Sequence, residues 1–285
     1  MSRYLARRLI QSVPVLLLIS VLTFLLLTAM PSDPLDMLIL GNPNIKQEDI
    51  ARMKEIYGLN DPVHLRYVKW MGQLLRGDLG YSRSYNIPVT ELVLPRLKNT
   101  FILTSLALLF ALVVALPWGI YSATHQYSKA DYVGTLCTFF GFAVPDFWLG
   151  LVMIILFSLV LTWLPPGGIA TIEMHGDNLA LLVDRVKYLI MPVFVLSLMY
   201  MAMWTRYMRS SMLEVVRQEY IQTARAKGLA ERVVMYRHAL KNALLPVITV
   251  VGNMLPALFG GSVVIEQVFT YPGIGKLLYD SILEN

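Results

Sequence analysis

"TFILTSLALLFALVVALPWGIYSAT", Thr100–Thr124, runs for 25 residues without an Asp, Glu, Lys or Arg. A helix needs about 17–25 predominantly apolar residues to cross ~30 Å of hydrocarbon, so this stretch has the length and character of a membrane span. Leu9–Met30, Tyr188–Thr205 and Asn242–Ile265 are likewise free of those four residue types. A fifth apolar run lies within Tyr132–Trp163 and carries one charge, Asp146. Backbone groups in hydrocarbon must satisfy one another, and runs this continuous suit helices rather than the alternating strands of a barrel. The sequence therefore predicts an all-α integral membrane protein, a multi-helix bundle with five spans in this chain. The bulk composition agrees. The 285 residues are 56% hydrophobic and 15% charged, against about 25% charged in a soluble domain.

Arg3, Arg7 and Arg8 precede the first apolar run, as they do in a secretory signal. The run exceeds the ~7–15 residues of a signal core and no small-x-small site follows Met30, so it reads as a span. Bases in the short connecting segments set the orientation. With the N-terminus inside, 12 bases fall inside: Arg3, Arg7, Arg8, Lys129 and the eight from Arg206 to Lys241. Only Arg185, Lys187 and Lys276 fall in short outside segments. The net charge of +5 thus reflects topology rather than a nucleic-acid footprint.

Three regions follow: residues 1–30, the cytoplasmic N-terminus and first span; residues 31–98, an external segment; and residues 99–285, a transmembrane core with an inside loop at 206–241. In the external segment, Gln47–Tyr57 and Val63–Leu75 each place apolar residues on one helical face, which predicts two short amphipathic helices packed on the spans, lying at the bilayer surface or receiving a partner. The Gly- and Pro-rich residues after them read as an irregular loop leading back to the membrane. In the inside loop, Leu213, Val216, Tyr220, Thr223 and Ala224 recur at helical spacing. Gly228 interrupts the pattern and Glu231–Leu240 resumes it, so a helix, tight turn and helix are expected. The small residues Ala224, Ala226 and Gly228 let a partner's surface approach the backbone. The composition equally suits a helix whose bases meet anionic lipid.

The loop "EYIQTARAKGLAERVVMYRHALKNALLPV", Glu219–Val247, resembles the cytoplasmic loop of ABC-transporter permeases, in the branch that imports dipeptides, oligopeptides, nickel and glutathione. The general motif there is Glu-Ala-Ala, three residues, then Gly; Gln222, Thr223, Ala224 and Gly228 occupy those positions here. The likeness extends along the chain through "RYLARRLIQSVPVLLLISVLTFLLL", "GDLGYSRSYNIPVTELVLPRL", "VPDFWLGLVM" and "GGSVVIEQVFTYPGIGKLLYDSI". It implies a type I ABC importer fold in a bacterial inner membrane, with a sixth span beyond Asn285. It implies that Gln222, Thr223, Ala224, Arg225, Ala226, Lys227, Gly228 and Leu229 seat in an ATP-hydrolysing subunit. The partners implied are a second homologous permease, two ATP-binding subunits, a substrate-binding protein outside and the surrounding bilayer, with no nucleic acid. ATP and Mg would sit on the ATPase subunits and no cofactor or metal on this chain. Peptides are the favoured cargo, with nickel and glutathione as alternatives.

Pro145, Asp146, Tyr200, Gly252 and Pro256 are the candidates for the translocation path or its gate, with Asp146 the main one. If its helix starts near Tyr132, the carboxylate lies about 21 Å deep, where it must face water or a partner. If Pro145 breaks the segment, Asp146 lies near the inner interface instead. Gly252 and Pro256 interrupt the fifth run, which suits a gate beside a watery path or close helix packing. Tyr200 belongs to a Met- and aromatic-rich fourth run. An enzyme reading fares poorly. "YPGIGKL", Tyr271–Leu277, has Leu277 where a phosphate loop places Ser or Thr. His64, His125, His175 and His238 lack metal-ligand spacing, and Cys137 is the one cysteine. The rival from another class is a passive channel or self-contained transporter whose basic loop binds lipid.

Overall fold

The computed structural model describes residues 2–29, 59–82, 84–171 and 177–283. The helix expected within Gln47–Tyr57 and His175 lie outside the described residues. The chain divides into two compact units, Met1–Thr90 with Asn285, and Glu91–Glu284.

In the first unit, helix α1 (Ser2–Ala29) is the expected first span, and helix α2 (Val63–Leu75) has the bounds its apolar periodicity predicts. The two pack together. Ser20 Oγ lies 2.8 Å from the Tyr67 hydroxyl, and Phe24 meets the Tyr67 and Trp70 rings at 5.5 and 5.6 Å. The apolar face of α2 is thus spent on the first span. After it the chain forms a two-stranded antiparallel hairpin, β1 (Tyr81–Ser82) with β2 (Ile87–Pro88), in place of the irregular loop expected. Asn86, at φ 53°, makes the turn, a conformation Asn tolerates better than most residues.

Helix α3 (Val89–Thr124) starts eleven residues before the apolar run begins, a difference from the expected loop through Lys98. Glu91 in its first turn opposes the positive end of the helix dipole, which favours the early start. Helix α4 (Lys129–Ala143) begins at Ser128, whose hydroxyl accepts the Asp131 N–H. Helix α5 (Asp146–Met153) continues as a π-helical turn, Ile154–Val160, and is bent 101° from α4. Proline disfavours helical ψ in the residue before it, and Val144 accordingly takes ψ 122°. The expected third span is therefore a broken pair, not one rod.

Helix α6 (Asn178–Val216) carries the expected fourth run at its centre. The stripe from Leu213 to Ala224 is not continuous: α6 ends at Val216 and helix α7 (Glu219–Ala226) begins after a turn at Arg217–Gln218. Beyond Gly228 come helix α8 (Glu231–Val233), a π-helical turn (Val234–Ala239) and helix α9 (Leu240–Gly252). The second arm of the inside loop and the fifth span are thus one helical run, which does not stop at Leu240. Asn242–Ile265 in turn is not a single helix. Turns at 253–256 lead to helix α10 (Ala257–Gly260), Gly261 breaks it at φ +66°, and helices α11 (Val263–Val268) and α12 (Ile274–Leu283) follow. Among the described residues, three helices are long and apolar enough to cross a membrane, Arg3–Ala29, Val89–Thr124 and Glu231–Gly260, together with the bent pair.

The second unit has separate apolar cores. Ala123, Met208, Met212, Ile221, Ala224 and Val234 gather at the end that carries the helix–turn–helix of α7, Gly228 and α8, the elbow. Leu103, Met191, Val195, Ile265, Phe269 and Tyr271 gather at the far end. Thr100 and Ala123 on α3 belong to opposite ends, about 35 Å apart at 1.5 Å per residue.

Candidate functional site

The elbow is a rigid piece. Gly228 has φ +74° with nothing within 4 Å of where a Cβ would stand, so glycine is there for its backbone conformation rather than for space. The Gly228 N–H donates to Arg225 O at 2.9 Å and closes the turn. Arg225 spans it with two parallel bonds, Nε to Glu231 Oε2 at 3.1 Å and Nη2 to Oε1 at 2.7 Å. Asn242 Nδ2 donates to the Tyr220 hydroxyl at 2.8 Å, tying α7 to α9, and Ser211 Oγ donates to Ala243 O at 2.8 Å, tying α6 to α9. Ile221 and Ala224 are buried in the elbow core, whereas Gln222, Thr223, Arg225, Ala226, Lys227, Gly228 and Leu229 are exposed. Ala224 is buried and belongs to the elbow core together with Met208, Met212 and Val234.

Behind the elbow lies a buried ion pair. Asp131 accepts from Arg209 Nε at 2.8 Å and Nη2 at 2.9 Å, from Tyr127 N at 3.0 Å, and from the Ser122 hydroxyl. Arg209 Nε also donates to Ser122 Oγ at 3.1 Å. The cluster fastens the end of α3, the start of α4 and the shaft of α6, one residue from Met208 of the elbow core.

The path candidates occupy the middle of the unit. Pro145 and Asp146 lie at the 101° break. Asp146 is half-buried and makes no hydrogen bond or ion pair among the described residues. Tyr200 stacks on the buried Trp204 at 5.6 Å and packs, with Val251 and Met254, around the Leu108–Trp204 cluster. Gly252 ends α9, and Pro256 opens α10 from the exposed side of the turn. An apolar cavity of about 210 Å³ between α3, α4 and α6 is lined by Val114, Trp118, Val133, Cys137, Leu198 and Met201 among others, and by none of the five path candidates.

At the far end, Glu266 is fully buried. Its Oε1 accepts from Thr100 Oγ1 at 2.7 Å and its Oε2 from the Lys276 N–H at 2.9 Å. Thr100 Oγ1 in turn accepts the Ile274 N–H at 2.8 Å.

Residues 115–285 match the family described as the binding-protein-dependent transport system inner membrane component, and residues 1–104 match its membrane component N-terminal region. The chain belongs to this permease family. Over 285 residues the permease is 45% identical to the oligopeptide transport system permease protein AppB of Bacillus subtilis, covering 100% of this chain and 88% of that one. It is 38% identical over 296 residues to the dipeptide transport system permease protein DppB of Alkalihalophilus pseudofirmus, covering 99% and 88%. A peptide permease protein of Brucella ovis is 36% identical over 283 residues, with the same shares covered. The permease is a multi-pass inner-membrane component of a transport system, as the sequence implied.

The permease brings its eight elbow residues, Gln222–Leu229, together on one turn, and sets Tyr200 beside Val251 and Met254. Sequence reasoning missed Asp131, Ser122, Thr100 and Glu266, and counted Arg209 only as a topological charge. A signal existed for Glu266: one acid directly after a 24-residue uncharged run, with Gly261, Gly273 and Gly275 around it.

Proposed function

We propose that the permease is one transmembrane half of an ATP-driven peptide importer, with its N-terminus inside, a second homologous permease beside it, two ATP-binding subunits below and a substrate-binding protein outside. ATP and Mg belong to the ATPase subunits, and this chain binds neither. Gln222–Leu229 is the coupling element. The carrying observation is the division of labour on that turn: Ile221 and Ala224 weld it to the core, while Gln222, Thr223, Arg225, Ala226, Lys227, Gly228 and Leu229 present an exposed, preorganised surface. A docked ATPase moving that surface moves α6 and α9 with it, a two-state change driven by contacts that differ between nucleotide states. Pro145, Asp146, Tyr200, Gly252 and Pro256 line or gate the path. Peptide cargo is supported by the names of relatives 36–45% identical over essentially the whole chain.

Capture of the tagged permease from native membranes tests the assembly: ATPase subunits in stoichiometric amount are expected. A permease recovered alone, with transport intact, is the outcome that leaves a passive channel or self-contained transporter. Uptake of labelled peptides, glutathione and nickel by cells with and without the chain assigns the cargo, and peptide uptake alone should depend on it.

A further inference from the structure

The segment Gly261–Leu283 is built around one carboxylate. Glu266 lies on α11, and its two oxygens are divided between a side-chain donor on α3, Thr100 Oγ1, and a backbone donor opening α12, the Lys276 N–H. Because Thr100 Oγ1 already accepts the Ile274 N–H, its own proton is the one given to Glu266, so the hydroxyl relays one hydrogen bond into the next. The backbone wraps the carboxylate so closely that a Cβ at Gly273 would collide with it, and one at Gly261 would stand 2.6 Å from Oε1. Gly273 needs no unusual φ; it is glycine because the carboxylate leaves no room. The same segment is anchored on either side. Asn99 Nδ2 donates to Pro272 O at 2.8 Å and the Tyr271 hydroxyl to Asn99 O at 3.1 Å. A Cβ at Gly150 of α5 would lie 2.9 Å from Val268, and the Gly168 N–H donates to Phe269 O at 2.8 Å. One buried side chain therefore fixes α11 and α12 against α3, and through Val268 and Phe269 fixes α5, whose first residue is Asp146.

We infer that Glu266, held by Thr100, is a positioning residue for transport: it sets the far-end segment and α5 in the arrangement through which the substrate-binding protein signals to the ATPases. The inference rests on the importer reading, in which this end faces outside, and it adds a residue that neither the elbow nor the path contains. The carboxylate touches no cargo. It acts through the segment it organises, by accepting hydrogen bonds at both oxygens, which alanine cannot do and an amide can do at one oxygen only.

The test uses the full complex captured through a tag on this chain and reconstituted in vesicles with its binding protein, with radiolabelled trialanine as the transport probe. In Thr100→Val, uptake and binding-protein-stimulated ATP hydrolysis should each fall about tenfold, the scale of losing one hydrogen bond to a charged group. The amount of assembled complex and its hydrolysis without binding protein should stay at wild-type levels. Thr100→Ser, which keeps the hydroxyl, should restore stimulation, and Glu266→Gln should fall between. Should Thr100→Val not accumulate in the membrane, Glu266→Gln is read by the same ratio. Unchanged stimulation overturns the inference, and so does a parallel loss of assembly, basal hydrolysis and uptake, which would make Glu266 a folding element only. A wild-type complex that lacks ATPase subunits, or that ignores trialanine, strikes the importer reading or its peptide cargo instead, and is seen before any variant is compared.

Discussion

Asp131 and Glu266 are both buried carboxylates of the second unit, at its two ends, and their surroundings answer them differently. At the elbow end Asp131 faces a guanidinium that grips both oxygens. At the far end Glu266 receives a hydroxyl and a backbone N–H, and its cavity is shaped by glycines. The acids nearer the surface are held in both ways: Glu231 by the elbow pairs with Arg225 and Asp280 of α12 with Lys276, whereas Asp184 near the start of α6 binds the N–H and hydroxyl of Thr171 at 2.7 Å each. A bidentate guanidinium–carboxylate pair fixes its geometry through opposed charge, whereas the Glu266 carboxylate is held by charge-assisted bonds from uncharged donors in a space that a neighbouring Cβ cannot share. The difference lies in what holds each acid: opposed charge at the elbow end, uncharged donors and steric enclosure at the far end.

The contrast breaks first at the ion pair. Arg209→Ala should destabilise the unit by about 3 kcal/mol, the low end for a broken buried pair because Arg209 reaches water, read as a lower melting temperature of the purified protein. Exchanging the two residues, Asp131→Arg with Arg209→Asp, should recover part of it; no recovery would show that Ser122 and Tyr127 matter as much as the opposed charges. At the far end the prediction is steric. Gly273→Ala should cost about 2 kcal/mol in the wild-type background and much less beside Glu266→Ala, since overpacking needs something to press on. Equal costs in both backgrounds would remove the carboxylate from the account of that glycine.

Gly228→Ala sharpens the elbow side. The site is open but the left-handed φ is not free, so a cost of about 1 kcal/mol is expected, with coupled transport reduced more than stability. Proportionate loss of both would argue that the turn is scaffold alone. The smallest effect concerns Asp184. The Thr171 N–H, with its hydroxyl, holds this exposed carboxyl below the usual carboxylate range. A lowered folded value means that its contribution is complete above the unfolded value and disappears as pH falls through the folded one. The Asp184→Asn protein and the wild type should therefore differ slightly near neutral pH and converge in strong acid, by melting temperature against pH.

Much of the fold is legible in the chain because hydropathy and helical period report solvent and local geometry. The apolar runs, the bounds of Val63–Leu75 and the turn at Gly228 all depend on neighbours a few residues away. Pro145 announced a break but not its 101° angle, which depends on what α4 and α5 pack against. Small size at Ala224 fits an interface and a core equally well, and its place in one cluster with Met208 and Met212 is visible only in the fold. The partners of the buried acids lie far off in sequence, Arg209 78 residues from Asp131 and Thr100 166 residues from Glu266. No periodicity carries information over such separations.

From Glu231 to Gly252 the backbone is helical without interruption, a strut about 33 Å long at 1.5 Å per residue. Its foot is the elbow and its head abuts the Gly252–Pro256 turns, with a π-helical turn at Val234–Ala239 and Pro246 along its length. A tilt of the foot by a few degrees would swing the head, which packs beside Tyr200, by about an ångström or more, less whatever bending the π-helical turn and Pro246 take up.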